Sequence, residues 1–552
     1  MKLPKLFRRK SVKVTLALTT FALIAVIIIL VVRSNAKTQI SELPQTGNVD
    51  TVAQAQAVAI DSVNSANKLI SEKLTSGKAL TESELADRST ALQKLADTAP
   101  EKFLELATLA PQRAKVPATL QKYVEQRVEL KGTMEVLVGD NFETGGKNNS
   151  FTNYTLSSSG QKYILKGSDI PTGIRSGDSV SVNSLALGQF IVPAKNDLKA
   201  EVTVINAAKP ITTGKLKLAV VLMHYNGYQS SITAQSANEL FFSDTKESLR
   251  GYYLEASAGK LDISGTVFAD ITFNQSLDCR YVANDIAKTM KDYYSNIDLT
   301  KFNNVAYILD TPYCGSRGFA ILGGNSQYII QNTRDTNNYI NRASVVHELG
   351  HNLGLMHANL FECGTRIISG ACSTYEYGDA FDVMGNFWYA TVDGKQKVVD
   401  PGTFHFNLWN KYTLGWLDMS EIIEIAPKQG GSNTYELNFE ENSITGLKGI
   451  KINRNSTESI VISFRKNQGY DKNLPPGITA GVQLHLINKS MVGATYLLDM
   501  NPGSKGANDD FIDNLDSTLG DGKSFTELGY NYKVELLSHT KDKATVSAPI
   551  QY

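Results

Sequence analysis

The chain carries seven histidines, and three of them stand within one run of eleven residues, His347-Glu348-Leu349-Gly350-His351-Asn352-Leu353-Gly354-Leu355-Met356-His357. The lead-in Ala343-Ser344-Val345-Val346 reads as a buried helix, so His347 and His351, four apart, project from one face a turn from each other. That spacing suits two ligands of one Zn2+ ion. Glu348, one step round the helix, can reach a water on the metal without ligating it, and is the candidate general base. Gly354 stands where the helix should stop, because a residue without Cβ tolerates the left-handed turn that would return His357 as third ligand. Three protein ligands leave the fourth tetrahedral position open, which is the catalytic rather than the closed structural arrangement. The plainer alternative is a helix with satisfied core histidines. At this composition the five positions coincide by chance on the order of once in a hundred thousand such chains, which favours the metal.

Downstream stands Tyr377-Gly378-Asp379-Ala380-Phe381-Asp382-Val383-Met384-Gly385, with Met384 as the candidate Met-turn methionine. Together with Phe404-His405 and Leu414-Gly415-Trp416-Leu417, these motifs resemble the gametolysin-like metzincins, from about Leu216 to the C-terminus. The resemblance implies a zinc metalloendopeptidase with His347, His351 and His357 on the metal, Glu348 as base and a methionine packed beneath. One departure is that Asn386, not tyrosine, stands two residues after Met384, so an astacin-like tyrosine switch is not supported. The resemblance also implies that the strand near Phe319-Ala320-Ile321-Leu322-Gly323-Gly324 borders the cleft and pairs with extended substrate.

The elements that must position this motif form an α+β chain of several domains. Composition is globular, with 42% hydrophobic and 20% charged residues and a formal net charge of zero, so nothing points to nucleic acid. Within residues 1–37, the first thirteen hold six basic residues, and the uncharged run Val14 to Val32 that follows is long enough to cross a bilayer once as a helix with the remainder outside the cytoplasm. The rival reading is a signal peptide cleaved near Ser34-Asn35-Ala36, giving a secreted protein. Leu43-Pro44-Gln45-Thr46-Gly47 resembles a sortase pentapeptide, but it follows an apolar run instead of preceding one, and a plain linker is the simpler account.

Residues 38–125 read as a linker and two or three helices, broken at Pro100, Pro111 and Pro117, forming a stalk or propeptide-like cover. No cysteine occurs there, so a thiolate cannot block the metal; another acidic or steric blocker stays open. Residues 126–210 read as five strands of a small barrel of the oligonucleotide/oligosaccharide-binding kind, with Gly139-Asp140-Asn141 among the turns. The catalytic domain is placed at 215–418, with strands at Leu218 to Met223, Lys260 to Phe273 and Val305 to Leu309 and one helix around Glu239 to Leu254. Residues 419–552 read as a β-sandwich. Asp509, Asp510, Asp513, Asp516 and Asp521 could gather a structural Ca2+, though their spacing matches no binding loop and a solvated acidic loop is the plainer reading. His405 reads either as lining the cleft or as a packed surface residue.

The four cysteines admit three pairings, of which Cys279 to Cys314 and Cys363 to Cys372 is preferred because the second would brace the connection between His357 and Met384. The function expected is hydrolysis of protein or peptide substrate at the cell exterior. The alternative is a catalytically silent zinc-domain adhesion protein.

Overall fold

The computed structural model describes residues 49–108, 110–140, 150–167, 170–171, 173–193, 209–226, 232–273, 282–310, 318–331, 342–369, 371–385, 390–392, 395–397, 404–426, 431–441, 446–489, 491, 493–504, 513–527, 530 and 532–550. The apolar run Val14 to Val32, Cys279 and Cys314 lie outside the described residues. Among the described residues no helix is long and apolar enough to cross a membrane. The chain divides into two compact units, residues 1–55 and 56–552. Of the first, residues 49–55 are described, and they are helical.

The second unit is a mixed α/β body. Its N-terminal helices include Glu82–Thr98, opened by a capping box at Thr81 and Glu84, and Pro100–Leu106, where proline stands at the first helical positions that tolerate it. These helices do not stand free as a stalk. Ala59, Val63, Leu92, Leu95 and Phe103 share a core with Ile164, Leu185, Leu187, Phe190 and Val192. Arg88, fully buried, pairs with Glu125 at 2.6 Å and reaches Thr108 at 2.8 Å, so the charge brought into that core is satisfied.

Five strands follow, β1 (Gln126–Asp140), β2 (Phe151–Ser158), β3 (Gln161–Leu165), β4 (Ser179–Leu187) and β5 (Phe190–Val192). β1 pairs with both β2 and β4, β2 with β3, β3 with β5 and β5 with β4, so the five close into a ring. The fifth described strand is Phe190–Val192, and residues 194–208 of the expected barrel lie outside the described residues. Gly139-Asp140 is no turn, for β1 runs through both residues.

That extra length matters because β1 also joins the next sheet. It pairs antiparallel with β9 (Gly318–Ile321), which lies beside β10 (Ser326–Gln331), and then come β8 (Asn304–Asp310), β6 (Gly214–Tyr225) and β7 (Leu261–Phe273). Alternation along β1 serves two cores at once: Met134, Val136 and Val138 fill the ring, while Leu137 packs with Val221, Met223 and Phe319 of the larger sheet. Where one helix was expected around residues 239–254 there are two, Ala234–Phe242 and Leu249–Ala256, because Ser248 caps the second by accepting from Gly251 N at 2.9 Å.

The histidine helix, Arg342–Asn352, packs Val345, Val346 and Leu349 against Leu218, Val220, Ile308 and Ile329 of this sheet. The strands beyond it are not confined to the C-terminal segment. Ala358–Glu362, just after His357, pairs in parallel with Thr495–Leu498, so one sheet crosses residue 418. A second sheet of four strands, drawn from residues 432–549, packs its apolar face into the same core.

Candidate metal centre

The geometry of the site begins at the end of the histidine helix. Gly354 takes φ +98°, the left-handed conformation expected of it, and its amide donates to the His351 carbonyl at 2.8 Å. Asn352 donates to the carbonyls of Ile321 and Ser326 at 3.0 and 2.8 Å, fastening the helix end to the β9–β10 turn. The chain reverses and brings His357 back, so that the rings of His347, His351 and His357 lie 4.8, 4.9 and 5.6 Å apart, centroid to centroid.

Each imidazole spends Nδ1 on an acceptor that has no proton to offer. His347 donates to the Val383 carbonyl at 2.8 Å, His351 to the Leu355 carbonyl at 2.7 Å and His357 to Glu376 at 2.6 Å. Such partners fix the tautomer that presents Nε2 to a metal and raise its basicity. Burial, with the neighbouring imidazoles and against the pull of Asp140, pushes His347 down to about 3, so this ring is neutral.

A fourth group completes the cluster, and no local pattern in the sequence announced it. Asp140, the last residue of β1, places Oδ1 2.8 Å from Nε2 of His357 and Oδ2 3.3 Å from Nε2 of His351 and 3.7 Å from that of His347. One ligand atom from each of the four lies within 4.8 Å of the others, a grouping that can hold a metal ion. Nε2 of His351, Oδ2 of Asp140 and both carboxylate oxygens of Glu348 are buried with no hydrogen-bond partner among the described residues. Buried polar atoms rarely go unsatisfied, and those of His351 and Asp140 belong to the one grouping, so the residues fit a bound cation. Burial works against a charged Asp140, yet His351 and His357 hold its carboxyl well below the usual range; the same partnership, with Glu376, raises His357 to about 9 despite burial.

Glu348 is fully buried at the centre of the helix, and a Cβ built on Gly318 of β9 would lie 1.7 Å from its Oε1. Burial, then the charge of Asp140, pushes Glu348 well above the ordinary carboxylate range. Met384 is fully buried under the helix, against Gly350. Its turn is held by Asp382, which accepts from the amides of Met384 and Asn407, each at 2.7 Å.

Sequence reasoning missed Glu376 and Tyr377 as well as Asp140. Tyr377, at φ +60°, lays its ring 4.0 Å from that of His357 and donates its hydroxyl to Asp140 Oδ1 at 2.7 Å. Their only signal was proximity to the Met-turn motif. His405 is buried away from the cluster, beside Glu255 at 3.2 Å, and does not line it. Cys363 and Cys372 are bonded, bracing the connection after His357. Of the aspartates considered for calcium, Asp513 and Asp516 share Ser504 as a hydrogen-bond donor, Asp521 pairs with His539, and Asp509 and Asp510 lie outside the described residues.

Imidazoles pre-set on a helix, with a buried glutamate beside them, belong to the metallopeptidase class of proteins. The family model of gametolysin peptidase M11 matches residues 215–505, and the chain belongs to that family. No curated protein matches the chain. Among solved structures, one described as "Structure of a chaperone-substrate complex" is similar at 13% identity with a TM-score of 0.17, over 40% of this chain and 29% of its own length. That likeness carries no argument, and the chain spans under a third of that structure.

Proposed function

We propose that the protein is a zinc endopeptidase of the metzincin type that acts outside the cytoplasm on protein or peptide substrates. The observation that carries this reading is the set of three imidazoles with Nδ1 committed and Nε2 convergent, beside a buried glutamate that bonds none of them. His347, His351 and His357 would hold the ion. Zinc, when bound, supplies Lewis-acid polarisation of a peptide carbonyl and an acidified water. Glu348 takes a proton from the attacking water at a carboxylate oxygen and returns it to the leaving amine. Gly318 gives the base room against β9. β9, which pairs with β1 in the fold, would align an extended peptide through backbone hydrogen bonds if β1 were withdrawn.

The anchor at Val14 to Val32, the domain limits and the exterior location belong to the same proposal, and the ring over residues 126–192 is taken as a small barrel without a ligand of its own. One observation favours the silent adhesion reading: four protein groups around a metal are the mark of a closed structural site, and Asp140 supplies a fourth. Incubation with a mixed peptide library, before and after limited proteolysis and with and without chelator, decides between them. Chelator-sensitive cleavage in either state is expected; its absence from both, with zinc bound, overturns the peptidase.

A further inference from the structure

We propose that Asp140 is a displaceable fourth metal ligand and that β1 holds it there as an internal occupant of the substrate position, making the chain latent as folded. The proposal rests on the peptidase reading, whose open coordination position Asp140 would fill.

Three observations carry it. β1 lies antiparallel on β9, with Leu137 opposite Ile321 and Asp140 opposite Gly318, so the edge that would align an extended peptide already bonds a strand of this chain. Gly318 is also the residue that abuts Glu348, so the register sets the last residue of β1 directly beside the base. A substrate paired on β9 in the same register would bring its backbone to the place that Asp140 now fills. The carboxylate, moreover, faces all three imidazoles: Oδ2 lies toward His347 and His351, and Oδ1 stands 2.8 Å from Nε2 of His357 and receives the Tyr377 hydroxyl at 2.7 Å.

Asp140, His347, Glu348 and His351 are fully buried and His357 nearly so, which puts the groups that would act on a peptide out of contact with solvent. A carboxylate is costly to bury without a cation or strong donors, so its presence here requires the histidines, the metal or both. Asp140 is not a loop residue that drifted inward. Pairing with Gly318 of β9 holds it, and the residues just before it are paired with β2 as well, up to Gly139 opposite Phe151. Opening therefore exchanges the carboxylate for water or a small anion at the metal and requires the end of β1 to leave β9.

The full chain loaded with cobalt in place of zinc tests this through its visible spectrum during titration with azide, an anion that needs an open coordination position. The parent should resist azide, and Asp140→Ala should bind it about a hundredfold more tightly, since the competing carboxylate acts at intramolecular concentration. Asp140→Asn, which keeps the volume and an acceptor for Tyr377, should respond in the same direction and guards against a folding defect in the alanine variant. A parent that binds azide as tightly as both variants overturns the proposal. Peptide cleavage is read in parallel: variants that bind azide but cleave nothing would sink the peptidase reading and leave the ligand assignment standing. A parent that cleaves at the variants' rate would do the reverse.

Discussion

Met384 sets its sulfur against the Cα of Gly350, leaving 2.4 Å to a Cβ built on the glycine, so the Met-turn and the histidine helix meet without an intervening side chain. Phe406 lies 3.4 Å from the same point, and both neighbours are fully buried. Neither has room to retreat. Gly350→Ala should therefore destabilise the fold by about 1–3 kcal/mol, the usual range for overpacking, and weaken metal retention. Met384→Leu, which conserves volume, should cost less than about 1.5 kcal/mol. Chemical denaturation of both variants checks the order; equal losses would show that close approach at Gly350 is not the constraint.

Glu348→Gln and His351→Ala separate chemistry from metal binding. Glu348 hydrogen-bonds no imidazole, so the glutamine variant should keep its metal and its fold. In a background opened at Asp140 it should lose about a hundredfold or more in rate. His351→Ala should lose the metal too. Metal analysis beside a peptidase assay distinguishes them, and parental cleavage by Glu348→Gln would refute its role as base.

Glu376→Ala should lower metal affinity by about 10- to 100-fold without removing a ligand, because it strips the partner from Nδ1 of His357. Glu376→Gln retains an acceptor oxygen and should recover most of that loss. Competition with a chelator of known affinity measures it. Identical affinities in all three proteins would mean that the turn after His357, and not this hydrogen bond, orients the ring.

Asp499 gives the fold a pH dependence of defined sign. It is buried, and burial, with Asp513, Asp516 and Glu362 adding to it against the Asn501 amide, pushes its carboxyl up to about 7. Between about pH 4, the ordinary carboxylate range, and pH 7, the folded chain holds a proton that the unfolded chain has released. Stability from this group is thus present at low pH and lost as pH rises through that window. Asp499→Asn should flatten the decline in Tm over this range; parallel curves for parent and variant would exclude Asp499 as its source.

Much of the site could be read locally because helix periodicity and one glycine fix His347, Glu348, His351 and His357 within a single turn and its reversal. The strands at 214–225, 261–273 and 304–310 were equally legible, as apolar runs bounded by turn residues. Asp140 was not. Gly-Asp-Asn is turn chemistry by local preference, and pairing with β9, nearly two hundred residues further on, keeps Gly139 and Asp140 extended. Glu376 and Tyr377 were hidden for a related reason, since their parts are set by His357 and Asp140 and by no repeat of their own. The break between residues 242 and 249 carried a signal that was passed over, a serine able to cap the second helix.

The pairing of β1 with β9 bears on solubility as well as chemistry. A bare sheet edge is a template for any extended chain, including another copy of the same protein. Stripping β1 away would offer β9 to substrate and, in the same act, to a neighbour's backbone. Concentrated protein opened at β1 should therefore be prone to self-association and self-digestion, whereas β1 in place covers that edge.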